Sequence, residues 1–326
     1  MSAVSEMLAA ILAQASGRRC DIQSVRPLTG GAASQIFAVE ALLDGEPAAL
    51  ILRGGDETSQ FGNALQKHQE AEVIRAAHVA GLPVPEVLAT TPACGDVGAG
   101  FVMRRLSGES LPKRILTLPD LAAAREQLAG QCGDVLARLH AVPLQGLPLP
   151  AYKVAEDLAR YRQRYREFDE PIPIFELAFA WLAAHPPPPR PLALVHGDFR
   201  NGNILVDEQG LSAVLDWELA HIGNPIEDLG WLCVNSWRFG QVDQPVGGFG
   251  SKADLLAAYN TGQARPVTDD ELAYWEIFGV LKWGVLCLYQ CAVHLSGQQI
   301  SLERAAIGRR ISECEVDLIR LIGERT

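Results

Sequence analysis

The sequence lacks the paired cysteines that build zinc ribbons and redox motifs. Its seven cysteines are scattered along the chain, and no two of them form a Cys-x-x-Cys pair, which argues against those motif classes. Cys287 and Cys291 stand four residues apart in an apolar segment, a spacing that predicts buried thiols on one face of a helix. We therefore expect a reduced protein that resides in the cytoplasm.

An excess of positive charge and a long apolar run are also missing. Acidic residues outnumber basic ones by 39 to 28, for a net charge of −11, so we expect no basic surface for nucleic acid or for an anionic membrane. The longest apolar stretch, residues 285–295, is interrupted by Tyr289, Gln290 and His294 and is too short to span a bilayer. Residues 1–14 lack the basic start of a signal peptide and are instead predicted to form an amphipathic helix. The acidity would also suit a cationic small molecule.

Two patterns of secondary structure divide the chain. Before Gly108, β-prone runs surround one helical pattern at 65–80, which predicts a small antiparallel sheet with one main helix. The β-prone runs are 24–28, 36–39, 48–53, 84–88 and 100–103. Later segments show helical spacing, at 121–141, 155–168, 174–184, 255–259, 270–295 and 301–322. We expect an α+β chain with a small β-rich lobe at 1–105 and a mostly helical lobe at 106–326.

Three polar residues flank a predicted hairpin in the second half. Asp198 precedes Asn203, two β-prone runs follow around a Gly-containing turn, and Asp216 closes the second run. Because the outer ends of a hairpin lie side by side, Asn203 and Asp216 should meet and could hold one hard cation such as Mg²⁺. Glu218 is the competing ligand. Asp198, alongside, could accept a proton during phosphoryl transfer from a nucleotide.

At these residues the chain resembles the aminoglycoside phosphotransferase and choline kinase family, small-molecule kinases with the protein-kinase fold. The Asp-x-x-x-x-Asn spacing and the following Asp match that fold's catalytic loop and metal-binding element. His-Gly-Asp, in place of His-Arg-Asp, is similar to the small-molecule branch. The resemblance implies a bilobal fold, ATP and Mg²⁺ as cofactors, and Asp198 as the catalytic base. It also implies that His196 fixes the loop by a hydrogen bond and that Asp228 supports the loop.

The first lobe should supply the nucleotide contacts. Gly30 and Gly31 allow backbone N–H groups to approach a phosphate, and the Ser34 hydroxyl could join them; a simple glycine turn is the alternative. The resemblance implies that Met103 lies where adenine docks.

Arg53 is the main departure from the family pattern, because the fold usually carries a Lys at the end of this strand. An Arg keeps the charge and can bind phosphate with two N–H groups, but it is longer and planar. The resemblance implies a carboxylate partner on the following helix. Glu70 fits that position best and Glu72 is the alternative; an exposed surface pair would be the ordinary interpretation.

The acceptor site is expected in the second lobe, around Trp237, Arg238 and Lys282. The two cations suggest an anionic group on the acceptor, although aromatic residues near helix ends more often belong to the core. Within the family the chain is most similar to the kinase-like domains fused to acyl-CoA dehydrogenases, whose acceptors look like hydroxylated acyl groups. An antibiotic acceptor is another option.

The leading hypothesis is an ATP- and Mg²⁺-dependent kinase that phosphorylates a hydroxyl of a small molecule. An atypical protein kinase is a second hypothesis, although little chain lies between Asp216 and Asp228 to dock a peptide. A non-catalytic nucleotide-binding scaffold is a third, and Arg53 is the substitution that favours it. The acceptor, the choice of ATP or GTP, and the oligomeric state stay open.

Overall fold

A computed structural model describes residues 3–28, 35–55 and 64–325, and its first part is a sheet with helices on both faces. Helix α1 spans Ala3–Ser16 and α2 spans Lys67–Val79. The strands are β1 Cys20–Pro27, β2 Gln35–Leu43, β3 Glu46–Gly54, β4 Val87–Thr91 and β5 Gly100–Arg104. They form one five-stranded antiparallel sheet in the order β1-β2-β3-β5-β4. The predicted sheet is confirmed, with its fourth strand starting at Val87 instead of residue 84.

Alternating side chains of this sheet belong to two separate hydrophobic cores, one on each face. Leu50, Leu52 and Val102 pack with Leu8 and Leu12 of α1. Phe101, one residue before Val102 on β5, belongs to the large core that also includes the apolar face of α2. This alternation follows from the two-residue period of a strand. The helix predicted at residues 1–14 is confirmed as α1, and the structure places it against the sheet as a second helix beside the one expected there.

The second part is mostly helical and is built around one long helix. Its helices are α3 Pro112–Thr117, α4 Ala122–Leu139, α5 Val154–Arg166, α6 Pro173–Ala184, α7 Ile226–Cys233, α8 Lys252–Tyr259, α9 Asp269–Leu295, α10 Leu302–Gly308 and α11 Ile311–Gly323. Within the described residues, α9 alone is long and apolar enough to cross a membrane, with a mean hydropathy of 1.4 in its most apolar window. Most of that window, 61%, is buried inside the protein, and α9 packs against α6, α7, α10 and α11. The core helix of a helical lobe has these same properties.

Four short strands in this part hold the segment with the polar motif. Strand β6, Ala193–Val195, pairs with β9, His221–Gly223, while β7, Ile204–Asp207, pairs with β8, Gly210–Val214. The β7–β8 pair is the hairpin that the sequence predicted, with Ile204 opposite Val214. The β6–β9 pair closes residues 196–220 into a loop, since it ties the chain together on both sides of them.

Three helical features differ from the sequence pattern. The predicted helix at 301–322 is broken into α10 and α11 by a turn at Arg309 and Arg310, just after Gly308, where a Cβ would be 2.8 Å from the Cβ of Cys291 on α9. Helix α7 was not predicted, since all of its residues are buried and it shows no polar face. Of the two cysteines expected to be buried, Cys287 is buried and Cys291 is half-buried.

Candidate active site

The side chain of Asp198 lies in a loop between β6 and β7 and accepts hydrogen bonds from three residues. The indole N–H of Trp231 donates to Oδ1 over 2.7 Å, and the amide of Asn203 donates to Oδ2 over 2.6 Å. The Nε of Arg200 lies 3.1 Å and 3.3 Å from the two oxygens. With only 16% of its side chain exposed, Asp198 is a half-buried carboxylate of fixed orientation beside one cation.

His196 holds the same loop through both nitrogens of its ring. Its Nδ1 accepts from the backbone N–H of Asp198 over 3.2 Å, so its Nε2 carries the proton and donates to the carbonyl of Leu215 over 2.9 Å. The ring is fully buried and packs against Trp217, with centroids 4.6 Å apart. The geometry supports the role that the resemblance implied: His196 joins the loop to the end of β8.

Asp228 holds the loop by its backbone. Its two carboxylate oxygens accept from the N–H groups of His196 and Gly197, over 2.8 Å and 2.9 Å. Its Oδ2 also lies 3.2 Å from Nε2 of His140, whose Nδ1 lies 2.8 Å from the hydroxyl of Tyr259. A fully buried carboxylate with these partners supports the loop, in agreement with the sequence-based prediction for Asp228.

Asn203 and Asp216 lie at the open end of the hairpin, as predicted. The backbone N–H of Leu215 donates to the carbonyl of Asn203 over 2.8 Å, which brings the adjoining Asp216 next to Asn203. Because the Asn203 amide N donates to Asp198, its side-chain oxygen is left for another partner. Asp216 adopts a left-handed backbone with φ of 65°, which is costly for a non-glycine residue and common at functional sites.

Arg53 joins the first lobe to this site through three carboxylates. Its Nη2 donates to Asp216 over 2.5 Å and to Glu218 over 3.0 Å, and its Nε lies 3.2 Å from Glu70. Glu70 is fully buried, whereas Glu72 is exposed, so the structure pairs Arg53 with Glu70 as the first choice from sequence. Burial would lower the pKa of Arg53, but the three carboxylates outweigh it and hold that pKa above its usual value.

The charge of Arg53 acts in turn on Asp216. Burial would raise the pKa of the Asp216 carboxyl, but the adjacent guanidinium lowers it below its usual value. Asp216 is therefore ionised at neutral pH, which is the form that binds a metal ion. Glu218 has 27% of its side chain exposed and lies close enough to serve as a further carboxylate of the site.

Lys67 is a second cation of this cluster that sequence reasoning missed. Its Nζ lies 2.9 Å from Glu70 and 3.6 Å from Glu218, and the residue is 7% exposed. The sequence spacing could have revealed this ion pair. Lys67 stands three residues before Glu70 on a predicted helix, and residues at that spacing are neighbours on a helix surface.

The remaining residues predicted to contact the nucleotide are Met103, Gly30, Gly31 and Ser34. Met103 is half-buried on β5, opposite Ile51 and Val87, and its contact with adenine stays a prediction. Gly30, Gly31 and Ser34 lie outside the described residues.

The structure gives Arg238 and Lys282 other partners than an acceptor. Arg238 is 4% exposed and donates to Glu276 and to the carbonyl of Cys233. Lys282 is 7% exposed and donates to Glu227 over 3.1 Å and to the carbonyl of Gly197 over 3.2 Å. Both cations therefore neutralise buried carboxylates, and this corrects the expectation that they bind an anionic acceptor.

Trp237, the third predicted acceptor residue, lies beside the loop but is 5% exposed. The guanidinium of Arg200 stacks on its ring, 4.6 Å from the centroid. Arg200 itself was given no role from sequence, although it stands two residues after Asp198. Its guanidinium is a partly exposed cation, with 24% of its side chain accessible, directly beside Asp198.

A family comparison agrees with this geometry. Residues 24–266 match the model of a family described as the phosphotransferase enzyme family, and this match includes every polar residue described above except Lys282 and Glu276. The chain belongs to the phosphotransferase enzyme family. The predictions of a protein-kinase-like fold and of a small-molecule phosphotransferase are thereby confirmed.

Two relatives are identical to this phosphotransferase at nearly a third of the aligned residues. Chicken acyl-CoA dehydrogenase family member 11 is 32% identical over 218 residues, which cover 64% of this chain and 27% of that protein. Homoserine kinase from Pseudomonas aeruginosa is 31% identical over 218 residues, which cover 63% of each chain. The aligned part thus spans only about a quarter of the acyl-CoA dehydrogenase relative.

Solved structures share the fold of this phosphotransferase over nearly its full length. A Ralstonia eutropha protein classed with the aminoglycoside phosphotransferases superposes with a TM-score of 0.73 at 23% identity, covering 98% of both chains. A spectinomycin phosphotransferase, solved with ADP and spectinomycin, gives 0.62 at 15% identity and covers 95% of this chain and 93% of its own. At these identities the likeness concerns the fold.

Proposed function

We propose that this phosphotransferase moves the γ-phosphoryl group of ATP to a hydroxyl of a small molecule in a reaction that requires Mg²⁺. The observation that supports this most is the convergence of Asp198, Asn203 and Asp216 within the loop that β6 and β9 close. These residues supply a base and two oxygen ligands side by side, and phosphoryl transfer depends mainly on such positioning.

The residues present fit a hard divalent cation. Asp216 offers an ionised carboxylate and Asn203 an amide oxygen, and oxygen ligands are what Mg²⁺ prefers. The described residues contain no group of three or more His, Cys, Asp or Glu side chains that could hold a metal, so water and nucleotide phosphates would complete the coordination. A bound Mg²⁺ would neutralise the charge that develops on the phosphoryl oxygens.

The protein's own groups then have separate tasks. Asp198 takes the proton of the acceptor hydroxyl as its oxygen attacks phosphorus and the bond to ADP breaks. Arg53, held by Glu70 and Glu218, would offer N–H groups to the nucleotide phosphates. Arg200, adjacent to Asp198, supplies positive charge beside the reacting group.

The acceptor in this proposal is a small hydroxylated molecule, and the name of the homoserine kinase relative supports an amino-acid-like alcohol as one candidate. Between Asp216 and α7 the chain forms a short 3-10 turn and β9, most of it buried. This leaves little exposed chain to dock a peptide, which favours a small molecule over a protein as substrate. We also propose a lobe boundary at 105/106 and a cytoplasmic location, where free cysteines such as these seven persist.

Calorimetric titration with the non-hydrolysable analogue AMP-PNP tests the nucleotide and metal part of this proposal. The wild-type protein should bind the analogue with Mg²⁺ at micromolar Kd, and Asp216→Ala should lose the Mg²⁺ dependence. Asp207→Ala is the matched control, because Asp207 lies at the other end of the same hairpin. Binding that ignores Mg²⁺ in the wild type, or that is equally weakened in both variants, would contradict the assignment.

A screen of hydroxylated metabolites, including L-homoserine, choline and aminoglycosides, tests the transfer. ADP release should rise with at least one of them in the wild type and stay at background in Asp198→Ala. Acceptor-stimulated ADP release that persists in Asp198→Ala would exclude that residue as the base.

A further inference from the structure

Helix α7 presents two side chains, those of Asp228 and Trp231, to the loop that carries Asp198. Asp228 binds the backbone N–H groups of His196 and Gly197. Trp231, one helical turn later, donates its indole N–H to the Asp198 carboxylate over 2.7 Å. Residues three apart on a helix share a face, so one short helix sets both the backbone of the loop and the side chain of its carboxylate.

The position of α7 is fixed by an unusually close approach to α9. A Cβ at Gly230 would overlap the backbone of Trp275, and a Cβ at Gly279 would lie 2.8 Å from the side chain of Val234. The two helices therefore pack at close range, with Gly230 against the backbone of Trp275 and Gly279 against the side chain of Val234. Trp231, which follows Gly230 and is 3% exposed, has little freedom to move.

The hydrogen bonds of Asp198 divide into fixed and exchangeable ones. Each oxygen has one short bond from a buried donor, Trp231 on Oδ1 and Asn203 on Oδ2. Arg200 spans both oxygens over the longer distances of 3.1 Å and 3.3 Å from a partly exposed side chain. An acceptor hydroxyl can take the place of Arg200 while the two fixed donors keep the carboxylate in orientation.

Lys282 lies over the face of the Trp231 ring, whereas Asp198 binds the N–H at its edge. Its ammonium lies 4.7 Å from the centroid of the Trp231 ring and donates to the carbonyl of Gly197. A buried cation against an aromatic face is a favourable contact. One cation thereby contacts both the indole that binds the carboxylate and the residue before that carboxylate.

We propose that Trp231 is a positioning residue for phosphoryl transfer, with its indole N–H orienting the Asp198 carboxylate toward the acceptor hydroxyl and Lys282 holding the indole in place. The proposal rests on the proposed role of Asp198 as the base. It assigns to a tryptophan of the helical core a function that the catalytic motif does not contain.

Replacing Trp231 with Phe removes the N–H and keeps an aromatic ring beside Lys282. Trp275→Phe is the matched control, because Trp275 is also 3% exposed and its indole N–H has no hydrogen-bond partner among the described residues. With Mg·ATP and water or L-homoserine as acceptor, kcat for ADP release should fall about 10- to 100-fold in Trp231→Phe, because a hydrogen bond to a charged group is lost. The KM for ATP should stay unchanged, and Trp275→Phe should keep wild-type kcat.

Nuclear magnetic resonance of protein labelled with ¹⁵N-tryptophan tests the contact without any turnover. The indole signal that disappears in Trp231→Phe should shift in Asp198→Ala, whereas the signal that disappears in Trp275→Phe should stay in place. An unmoved Trp231 signal in Asp198→Ala would overturn the proposal.

The outcomes separate this proposal from the function on which it depends. Full turnover in Asp198→Ala would refute the base itself. Loss of turnover in Asp198→Ala, together with equal kcat values and equal melting temperatures in Trp231→Phe and Trp275→Phe, would refute only the role of Trp231. A lower kcat in Trp231→Phe with equal melting temperatures in the two variants supports it.

Discussion

Two clusters of charged side chains flank the catalytic loop, and they differ in how completely they are closed. The interlobe cluster consists of Arg53, Lys67, Glu70, Asp216 and Glu218; the loop-support cluster consists of Lys282, Glu227 and His221. In the interlobe cluster, Asp216 and Glu218 keep 34% and 27% of their side chains exposed. In the loop-support cluster no side chain exceeds 10%.

The difference in exposure indicates that the two clusters of charged residues have different roles. In the interlobe cluster three carboxylates share two cations, so one carboxylate can change its partner while the other charges stay paired. In the loop-support cluster each charge depends on a buried partner, and removing one leaves an uncompensated charge, which is strongly destabilising. We expect changes in the first cluster to alter binding and changes in the second to alter stability.

Asp198, between the two clusters, should give the largest effect on turnover. Asp198→Asn keeps the shape of the side chain but removes its charge and its basicity, so kcat should fall about 10²- to 10⁴-fold. The Kd for AMP-PNP and Mg²⁺ should stay within about twofold of wild type, since Asn203 and Asp216 are intact. Equal losses in kcat and in nucleotide affinity would show that Asp198 takes part in nucleotide binding and would contradict its role as the base.

The largest effect on stability should come from the loop-support cluster. Lys282→Met leaves Glu227 as a buried carboxylate without its ammonium partner, and the free energy of unfolding should fall by about 3–5 kcal/mol. Chemical denaturation measures this loss. Lys252→Met is the control, because Lys252 is 30% exposed and its partner Glu276 keeps Arg238; equal losses in the two variants would contradict the contrast.

Acid should weaken the loop-support cluster in a defined pH range. Burial would raise the pKa of Glu227, but Lys282 and His221 lower it to about 2, from an ordinary value of 4.5. A carboxyl with a lowered pKa in the folded state stabilises the protein above its unfolded pKa, and this contribution is lost as pH falls from 4.5 toward 2. The loss should amount to about 3 kcal/mol.

Denaturation curves recorded between pH 6 and pH 2 test this dependence. Glu227→Gln has no carboxyl to protonate at this position, so its free energy of unfolding should fall less steeply over that range than that of the wild type. Parallel pH profiles for the two proteins would show that Glu227 is not held ionised by its neighbours.

The smallest effect should come from a conservative change in the interlobe cluster. Arg53→Lys keeps the positive charge, but one ammonium group cannot reach Glu70, Asp216 and Glu218 in the planar arrangement of the guanidinium. The Kd for AMP-PNP and Mg²⁺ should rise about tenfold, the loss of about 1.4 kcal/mol, with the free energy of unfolding nearly unchanged. A large loss of stability without weaker binding would make Arg53 a structural residue and remove the distinction between the clusters.

Sequence reasoning reached the residues whose roles depend on local spacing. Asn203 and Asp216 were placed together because a hairpin fixes which residues meet at its end, and Glu70 was preferred to Glu72 because the family pattern gives that position. Arg238 and Lys282 were misplaced because burial depends on packing between distant segments. For Lys282 the decisive partners are Glu227 and Gly197, 55 and 85 residues away, and no periodicity of α9 reveals them.

Helix α7 was missed for a related reason. A helix buried on every side has no alternation of polar and apolar residues, so the pattern that reveals surface helices is absent. The role of Trp231 was missed with it, although its spacing from Asp228 would have been informative once a helix was assumed. What the sequence alone conveys least is therefore the part of the structure that holds the Asp198 carboxylate.

The pairing of β6 with β9 closes residues 196–220 into one short segment that contains Asp198, Asn203 and Asp216. The hydrogen bonds that join Asn203 to Asp198 and to Leu215 connect residues close along the chain. Closing a short segment costs less chain entropy than joining distant ones, and such contacts form early in folding. The spacing of these three side chains is therefore set within one segment, which residues of α7 and α9 then hold in place.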